Sequence, residues 1–432
     1  MKLTLKDIIK KRENEVFVIN KDRAISFNDF YYDIATLELA HNNDFVALKC
    51  SPDYETLTTL FALWANNNTV CLIPSEATEE EIQEYQQQIP FKTILTPTLQ
   101  KGTFNDIDID LLDKKTKLII LSSGSSGQSK GIAHGLAQLY WSATGTNSFY
   151  KFSSTDHYPL TLPLHHIGGL MIPFRCLLSG AKCEIHEKRS SAIHSKTASI
   201  LSLVPAQLYD KIKNNDSVSP LRSVLLGGAK CPDKLLKRAY LLDYPISLTY
   251  GCSESCSQVY ASKPHDKAKG PTDLLPYREA IIKNGYLYIK GNTLMNYYYL
   301  NSQKVYPFDD HGFYKTNDLV TDNGFLSFGR KDAMMISGGE NIPTSLWEEK
   351  LLLHNDIMEA KSIICNDDRM GQIGHLFYQS SASIVKEDLR NYLSRYFSPY
   401  KMPKKIIPFP QLGNKIKHTY QSLQNYAQNY KE

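Results

Sequence analysis

The stretch that decides the fold is LSSGSSGQSKG, at positions 121–131. It follows the apolar run LII at 118–120 and ends in Lys130 and Gly131. The glycines inside it permit tight turns and a close approach of the backbone to a ligand. Hydroxyl groups, backbone N–H groups and a lysine are what a polyphosphate requires. A Walker A loop is excluded, because Gly131 stands where that motif has Ser or Thr. The alternative is a solvated surface loop.

The bulk composition is that of a globular protein. The chain has 432 residues, of which 42% are hydrophobic and 22% charged. This length exceeds what a single core supports, so two or more domains are expected. The net charge is +4, and the lysine and arginine residues are scattered along the chain rather than grouped in blocks. Neither nucleic-acid nor membrane binding is therefore expected. No apolar run approaches the roughly 18 residues that a membrane span needs.

The N-terminus and the cysteines predict a cytoplasmic location. The first residues, MKLTLKDIIKKRENEV, lack the apolar core of a signal peptide. The eight cysteines form no disulfide framework, which favours reduced and mostly buried thiols. Cys252 and Cys256 lie four residues apart, but no second pair with metal-ligand spacing accompanies them.

Alternation of short apolar runs with helical patterns predicts a parallel sheet with crossover helices. The runs at 44–50, 69–74 and 91–97 are typical of strands, and the stretches at 53–67 and 79–89 are typical of helices. The same rhythm returns in the strand-like runs at 199–205, 223–228 and 245–251.

The pattern changes from about Gly285. Short runs that each open with glycine predict antiparallel strands joined by turns. A smaller α+β segment follows Asp332, so we place a domain boundary near residues 329–332.

A second candidate motif is LTYGCSESCSQ at 248–258. A strand-like run ends there and presents Ser253 and Glu254. Ligands of open parallel sheets bind beyond the carboxyl ends of the strands, and Mg²⁺ prefers carboxylate and phosphate oxygens. Glu254 is therefore a candidate magnesium ligand. The alternative is a carboxylate that only stabilises the start of a helix.

Three further stretches contain candidate residues. In YKTNDLV at 314–320, Asp318 is an acid at a predicted strand end, which suits ribose hydroxyls. Arg330 and Asp332 lie at the predicted domain boundary, with a surface salt bridge as the alternative. GNKIKHTYQSL at 413–423 contains two lysines, for which the alternative is an exposed surface position.

The order and spacing of these motifs resemble the adenylate-forming superfamily, which includes the acyl-CoA synthetases. SSGSSGQSKG resembles its phosphate loop TSGTTGxPKG, YGCSE resembles YGxTE, YKTNDL resembles YxTGDL, and GRKDAMMISGGENI resembles GRxDxxIxxxGxxI. LPLHHIGGLMIPFR (162–175), SLVPAQLYDKI (202–212) and LLGGAKCPDKLL (225–236) look most like o-succinylbenzoate-CoA ligases of menaquinone synthesis. Ser129 replaces the proline of the phosphate loop, and Asn317 replaces a glycine.

The resemblance implies an α/β fold in two domains. Residues 1–330 would form a large N-terminal domain of parallel-rich sheets with helices and a small antiparallel barrel-like part. Residues 331–432 would form a small mobile α+β domain with the catalytic lysine. The implied enzyme is an AMP-forming acid–CoA ligase that uses ATP, Mg²⁺ and coenzyme A on a carboxylic acid, 2-succinylbenzoate by closest resemblance. Alternatives are another aryl or fatty acyl-CoA ligase, a stand-alone adenylating enzyme, and a non-catalytic nucleotide-binding relative; a homodimer stays open.

The resemblance also implies residue roles for the nucleotide. The triphosphate would contact Ser122, Ser123, Gly124, Ser125, Ser126, Gly127 and Lys130. The adenine slot and the strand beside it would comprise Gly227, Gly228, Ala229, Tyr250 and Gly251. Asp318 would bind the ribose with Arg330 beside it, and Glu254 with Ser253 would hold Mg²⁺.

The remaining implied roles concern the acid, the thiol and domain movement. His166 would separate the nucleotide from the acyl pocket, as its position favours; the alternative for both His165 and His166 is a polar residue at a strand end. Asp332 would be the hinge, and Gly338 with Gly339 would line the thiol channel. The acid would contact Arg175, Gln207, Ser257 and Gln258. A structural ion pair is the alternative role for Arg175, since arginine binds carboxylates of either origin.

The catalytic lysine is left between two positions. Counting back from Leu423 along the C-terminal motif of the superfamily gives Lys417, and counting forward from Asn414 gives Lys415. We favour Lys417, because that register keeps the apolar positions of the motif.

Overall fold

The computed structural model describes residues 2–123, 129–228, 231, 233–267, 270–322, 326–330, 335–380, 383–410 and 420–430. The helices are α1 (Leu5–Lys10), α2 (Phe27–Ala35), α3 (Tyr54–Ala65), α4 (Glu79–Gln88), α5 (Leu136–Tyr150), α6 (Ile167–Ser179), α7 (Arg189–Ala192), α8 (Pro205–Lys213), α9 (Asp233–Leu241), α10 (Ser345–Leu352), α11 (Lys386–Leu393) and α12 (Tyr420–Asn429). Short 3₁₀ turns cover Ser253–Ser255 and Pro399–Lys401.

The strands form five sheets. They are β1 (Val16–Asn20), β2 (Arg23–Ser26), β3 (Phe45–Cys50), β4 (Thr69–Pro74), β5 (Thr93–Leu95), β6 (Leu118–Ser123), β7 (Ser129–His134), β8 (His157–Pro159), β9 (Lys182–Ile185), β10 (Ile200–Leu203), β11 (Ser223–Leu226), β12 (Ile246–Cys252), β13 (Ser257–Ala261), β14 (Asp273–Leu274), β15 (Arg278–Lys283), β16 (Tyr286–Gly291), β17 (Tyr297–Leu300), β18 (Gln303–Val305), β19 (Tyr314–Asp322), β20 (Leu326–Arg330), β21 (Met335–Ser337), β22 (Glu340–Ile342), β23 (Ile357–Asp367), β24 (Gly371–Ser380) and β25 (Lys405–Pro408).

The largest sheet has the strand order β18-β17-β7-β6-β4-β3-β5. Its β3, β4, β5 and β6 are parallel, with α3 and α4 between them in sequence. The helix starts are capped, because the side chain of Asp53 accepts from the backbone N–H of Thr56, and Thr78 with Glu81 forms a capping box. The predicted parallel strands with crossover helices are confirmed here.

A second sheet has the order β10-β11-β12-β13-β14. Its first three strands are parallel, and α8 and α9 connect them. β13 is antiparallel to β12, and β14 is antiparallel to β13. A smaller sheet has the strand order β2-β1-β9-β8. Phe17 on β1 packs in the same hydrophobic core as Phe30 and Phe61.

The predicted antiparallel part is also present. β15, β16, β19 and β20 pair antiparallel in this order, and a short turn joins β15 to β16. The fold is therefore of the mixed α/β class with parallel-rich sheets and one antiparallel sheet.

The last part of the chain has its own sheet and cores. The strand order is β22-β21-β24-β23, and β25 pairs with β24 in parallel. Trp347 on α10 is fully buried, and its indole N–H donates to the carbonyl of Lys401 at 2.7 Å. A Cβ at Gly374 would lie 2.5 Å from the Trp347 ring, so this close packing requires glycine. No helix in the described part of the chain is long and apolar enough to span a membrane.

Candidate active site

A cavity of about 740 Å³ lies where β10, β11 and β12 end. The hairpin of β6 and β7 lies on one side of it, and the N-terminus of α6 on another. Residues from the C-terminal part of the chain also line it, among them Gly339, Glu340 and Lys401. Residues that are far apart in the sequence therefore border one cavity.

The two described ends of the phosphate stretch lie on paired antiparallel strands, β6 and β7. Ser122 on β6 pairs with Lys130 on β7, and Ser123 pairs with Ser129. Ser122 and Lys130 line the cavity, and the ammonium group of Lys130 lies 5.3 Å from the ring centre of Tyr298. The backbone of Ser123 is described but its side chain is not. The predicted contacts Gly124, Ser125, Ser126 and Gly127 lie outside the described residues.

Ser253 and Glu254 lie in the short turn after β12, as the parallel-strand argument predicts. The Tyr298 hydroxyl donates to Oε1 of Glu254 at 2.5 Å, and the Tyr314 hydroxyl donates to the same oxygen at 3.3 Å. His134 Nε2 donates to the carbonyl of Ser253 at 2.8 Å. Burial lowers the pKa of His134 to about 4, so it is neutral at pH 7. The carboxylate therefore has a defined orientation, with its second oxygen left for a ligand.

The prediction that Asp318 lies at a strand end is wrong. Asp318 lies in the interior of β19 rather than at a strand end, because the antiparallel pairing with β20 continues past it. Its carboxylate accepts a hydrogen bond of 2.6 Å from the Tyr250 hydroxyl. Burial, with the neighbouring thiol and the Asp318 charge, raises the pKa of Tyr250 well above its usual value. Arg330 is the backbone partner of Asp318, and its side chain is not described.

The predicted adenine slot borders the same cavity. A Cβ at Gly227 would lie 2.3 Å from the Thr249 hydroxyl oxygen, and a Cβ at Gly251 would lie 2.0 Å from the carbonyl oxygen of Ser257. Both positions therefore require glycine. Gly227, Tyr250 and Gly251 line the cavity beside Gly228. Ala229 lies outside the described residues.

His166 contacts the C-terminal sheet. Its Nε2 lies 2.8 Å from Oε1 of Glu340, 174 positions later in the chain. Burial alone would raise the pKa of Glu340, but the charges of His166, Lys401 and Arg189 hold it below its usual value. His165 is buried, its Nδ1 has no partner within the described ranges, and burial lowers its pKa well below the usual range. The contact with Glu340 is therefore made by His166.

Gly338 and Gly339 form the turn between β21 and β22, with φ of +57° and +91°. Such left-handed conformations at both central positions favour glycine. A Cβ at Gly339 would lie 2.5 Å from a methyl group of Val204. A Cβ built on Gly228 would lie 3.9 Å from the Cα of Gly339, so the two glycine segments face each other.

All four predicted acid-binding residues line the cavity. Arg175 on α6 is buried, and its Nη2 donates to the Ser257 hydroxyl at 3.1 Å. Its Nη1 donates to the Tyr158 hydroxyl at 3.1 Å, and its Nε has no partner among the described residues. In the described part of the chain no carboxylate lies within ion-pair distance of Arg175, so the structural ion pair that we gave as the alternative is absent there.

Gln207 and Gln258 differ in how their amides are used. Gln207 caps α8 by accepting from the backbone N–H of Val204, and it donates to the carbonyl of Thr161. Both ends of its amide therefore have partners within the protein. Gln258 accepts from the Thr146 hydroxyl at 3.1 Å. Both side chains line the cavity.

Sequence reasoning missed the contacts that bring the C-terminal sheet to the cavity. Lys401 pairs with Glu81 on α4 at 2.6 Å, and Ser398 donates to the same carboxylate. Arg369 forms two hydrogen bonds with the carboxylate of Asp210, at 2.7 and 2.6 Å. The partners are 159 to 320 positions apart, and no motif marks them. The predicted hinge Asp332 and the two candidate lysines Lys415 and Lys417 lie outside the described residues.

The Gly339 contact yields a test. Gly339→Ala places a methyl group against Val204, and we expect faster amide hydrogen exchange in residues 200–210 and 335–342. Gly312→Ala is the control, because Gly312 also has a positive φ but its Cβ would meet nothing closer than 3.7 Å. Equal exchange in wild type and Gly339→Ala would show that this contact does not hold the hairpin in place.

Comparison with known proteins places the chain among enzymes of one family. Residues 112–299 match the family described as AMP-binding enzyme. The 2-succinylbenzoate–CoA ligase of Escherichia coli is 31% identical over 316 residues, which cover 71% of this chain and 68% of that protein. The 2-succinylbenzoate–CoA ligase of Staphylococcus epidermidis is 25% identical over an alignment of 458 positions, gaps included, that covers 96% of each chain.

The solved structures agree in fold. The o-succinylbenzoate CoA synthetase of Bacillus subtilis, bound with a product analogue, superposes with a TM-score of 0.84 at 22% identity and covers 99% of this chain and 98% of its own. A malonyl-CoA ligase product complex superposes with a TM-score of 0.77 at 17% identity over 92% of this chain and 96% of its own. The chain belongs to the AMP-binding enzyme family, together with the 2-succinylbenzoate–CoA ligases.

Proposed function

We propose that this protein is an acid–CoA ligase that activates 2-succinylbenzoate with ATP and joins it to coenzyme A. The observation that carries the proposal is a single cavity lined by two chemically distinct groups of side chains. Lys130, Glu254 and Asp318 suit a nucleotide and its cation. Arg175 is a buried cation without a carboxylate partner in the described residues. The curated relatives named above are ligases of this type.

The first half-reaction joins two anions, so the site must reduce their repulsion. A carboxylate oxygen of the acid attacks the α-phosphorus of ATP, and the bond to the bridging oxygen breaks, releasing pyrophosphate. Ser122 and Lys130 would bind the leaving phosphates, and Asp318 would accept hydrogen bonds from the ribose hydroxyls. Lys417, with Lys415 as the alternative, would place positive charge where negative charge develops in the transition state.

Glu254 fits a magnesium site. Mg²⁺ is commonly held by one or two carboxylates together with substrate phosphates and water. The two tyrosine contacts engage one oxygen of Glu254 and orient the other. Bound there, Mg²⁺ would neutralise charge on the phosphates. Ser253, which precedes Glu254 in the same turn, would hold Mg²⁺ together with it.

The second half-reaction forms the thioester. The sulfur of coenzyme A attacks the acyl carbon, AMP leaves, and the thiol proton is released. The hairpin with Gly338 and Gly339 would line the thiol channel, because its glycines permit close approach at the end of the cavity. The pairing of His166 with Glu340 supports a role for His166 at the junction between nucleotide and acyl pocket.

The domain division belongs to the same proposal. Residues 1–330 would bind nucleotide and acid, and residues 331–432 would form the mobile domain with Asp332 as hinge. Separate hydrophobic cores on the two sides of this boundary support the division. Movement would let Lys417 serve the first step and the glycine hairpin the second. We place the enzyme in the cytoplasm, where reduced cysteines are usual; the eight cysteines form no disulfide in the described residues.

An acid panel tests the proposed function. The protein is incubated with ATP, Mg²⁺ and one carboxylic acid at a time, and pyrophosphate is measured with and without coenzyme A. We expect release with 2-succinylbenzoate without coenzyme A, and thioester formation when the thiol is added. Release with a different aryl or fatty acid would replace the substrate assignment, and no release with any acid would support a non-catalytic nucleotide-binding protein.

The catalytic lysine is tested by two single variants. Lys417→Ala should lower pyrophosphate release by about 100-fold or more, because it removes a charge that acts in the transition state, whereas Lys415→Ala should retain most activity. AMP binding by both variants controls for folding. Loss of activity in Lys415→Ala alone would assign the catalytic role to that residue.

A further inference from the structure

A second buried arginine lies behind the acyl end of the cavity. Arg278 begins β15 and is 7% exposed. Its Nη2 donates to the Ser142 hydroxyl at 2.9 Å, and its Nη1 donates to the carbonyl of Pro276 at 2.7 Å. Its Nε has no partner in the part of the chain that the structure describes. All of its partners are neutral, and no described carboxylate lies within ion-pair distance of it.

A short chain of contacts connects this arginine to Arg175. The Ser142 hydroxyl, which accepts from Arg278, donates to the carbonyl of Cys256. The next residue is Ser257, whose hydroxyl accepts from Arg175. The two guanidinium groups are thus linked through the pair Cys256–Ser257: Arg278 through the Ser142 hydroxyl, and Arg175 through the side chain of Ser257. That segment has positive φ at both residues, +54° and +94°, which is unusual outside glycine.

The packing around Arg278 is specific to its head group. Gly145 on α5 faces it, and a Cβ there would lie 2.7 Å from its Nη1. Burial, together with a smaller effect of the positive charge of Arg175, lowers the pKa of Arg278 to about 9. Two like charges in one poorly solvated region are costly unless an anion neutralises them. The protein supplies none in its described part, and the cavity opens onto Arg175.

We infer that Arg278 is a second specificity-determining residue, which adds positive charge behind Arg175 so that the acyl pocket selects acids with a second carboxylate. Arg278 acts on the bound acid through its electrostatic field and not by direct contact, since it does not line the cavity. The inference rests on the proposed function for the identity of the acid. It goes beyond that function in assigning the selectivity to a pair of arginines, one of them outside the cavity.

Binding tests the inference without depending on turnover. Calorimetry gives the dissociation constants of 2-succinylbenzoate and of 4-oxo-4-phenylbutanoate, which keeps the chain and ring but lacks the ring carboxylate. Wild type should prefer the dicarboxylate. In Arg278→Met this preference should fall by about 10-fold, because one of two nearby charges is lost in a poorly solvated region. Arg278→Lys, which keeps the charge, should retain most of the preference.

The controls separate charge from structure. Arg238→Met removes an exposed arginine on α9 and should leave the preference unchanged. If Arg278→Met weakens the binding of both acids equally, or leaves the preference as in wild type, the inference is overturned. A wild type that binds the dicarboxylate no better than the monocarboxylate also overturns it. Tight, selective binding without pyrophosphate release would instead contradict the proposed function and leave the arginine pair supported.

Discussion

The parallel pairing of β10, β11 and β12 is the constraint on which the site depends. Parallel strands all present their carboxyl ends at one edge of the sheet, so the segments that follow them emerge together. Gly227 after β11 and Glu254 after β12 therefore border the same cavity. The β6–β7 hairpin adds Lys130 from the neighbouring sheet, and Tyr298 on β17 links this hairpin to Glu254. A change in any of these strand pairings would displace the nucleotide end as a whole.

Charge organises the rest of the cavity. In the proposed arrangement Lys130, Glu254 and Asp318 serve the nucleotide, and Arg175 lines the cavity without a carboxylate partner in the described residues. An acid with two carboxylates matches this distribution, because one carboxylate can lie toward the nucleotide while the other meets Arg175. The buried histidine His134 stays neutral beside Ser253 and adds no charge there. The C-terminal sheet closes the cavity through the contacts of Glu340 and Lys401.

Much of this arrangement could be predicted from the sequence. The alternation of apolar runs and helical patterns predicted the parallel sheets, and the stretch at 248–258 correctly placed Glu254 beyond a strand. Periodicity reports only local structure, so it could not show that β19 continues past Asp318. It also could not find Arg369–Asp210, Lys401–Glu81 or the position of Arg278, because these contacts join distant segments without a sequence pattern. The assignment of Arg175 needed the structure, since only burial and partners distinguish a binding site from an ion pair.

The central claim is that one cavity binds a nucleotide at one end and a second carboxylate at Arg175. The most direct measurement is the affinity of a stable, non-reactive analogue of the 2-succinylbenzoyl adenylate for wild type and for Arg175→Met, with AMP as reference ligand. We predict that the variant binds the analogue about 100-fold more weakly, because a buried carboxylate loses its partner, while its affinity for AMP stays unchanged. Equal affinities of both proteins for the analogue would contradict the account.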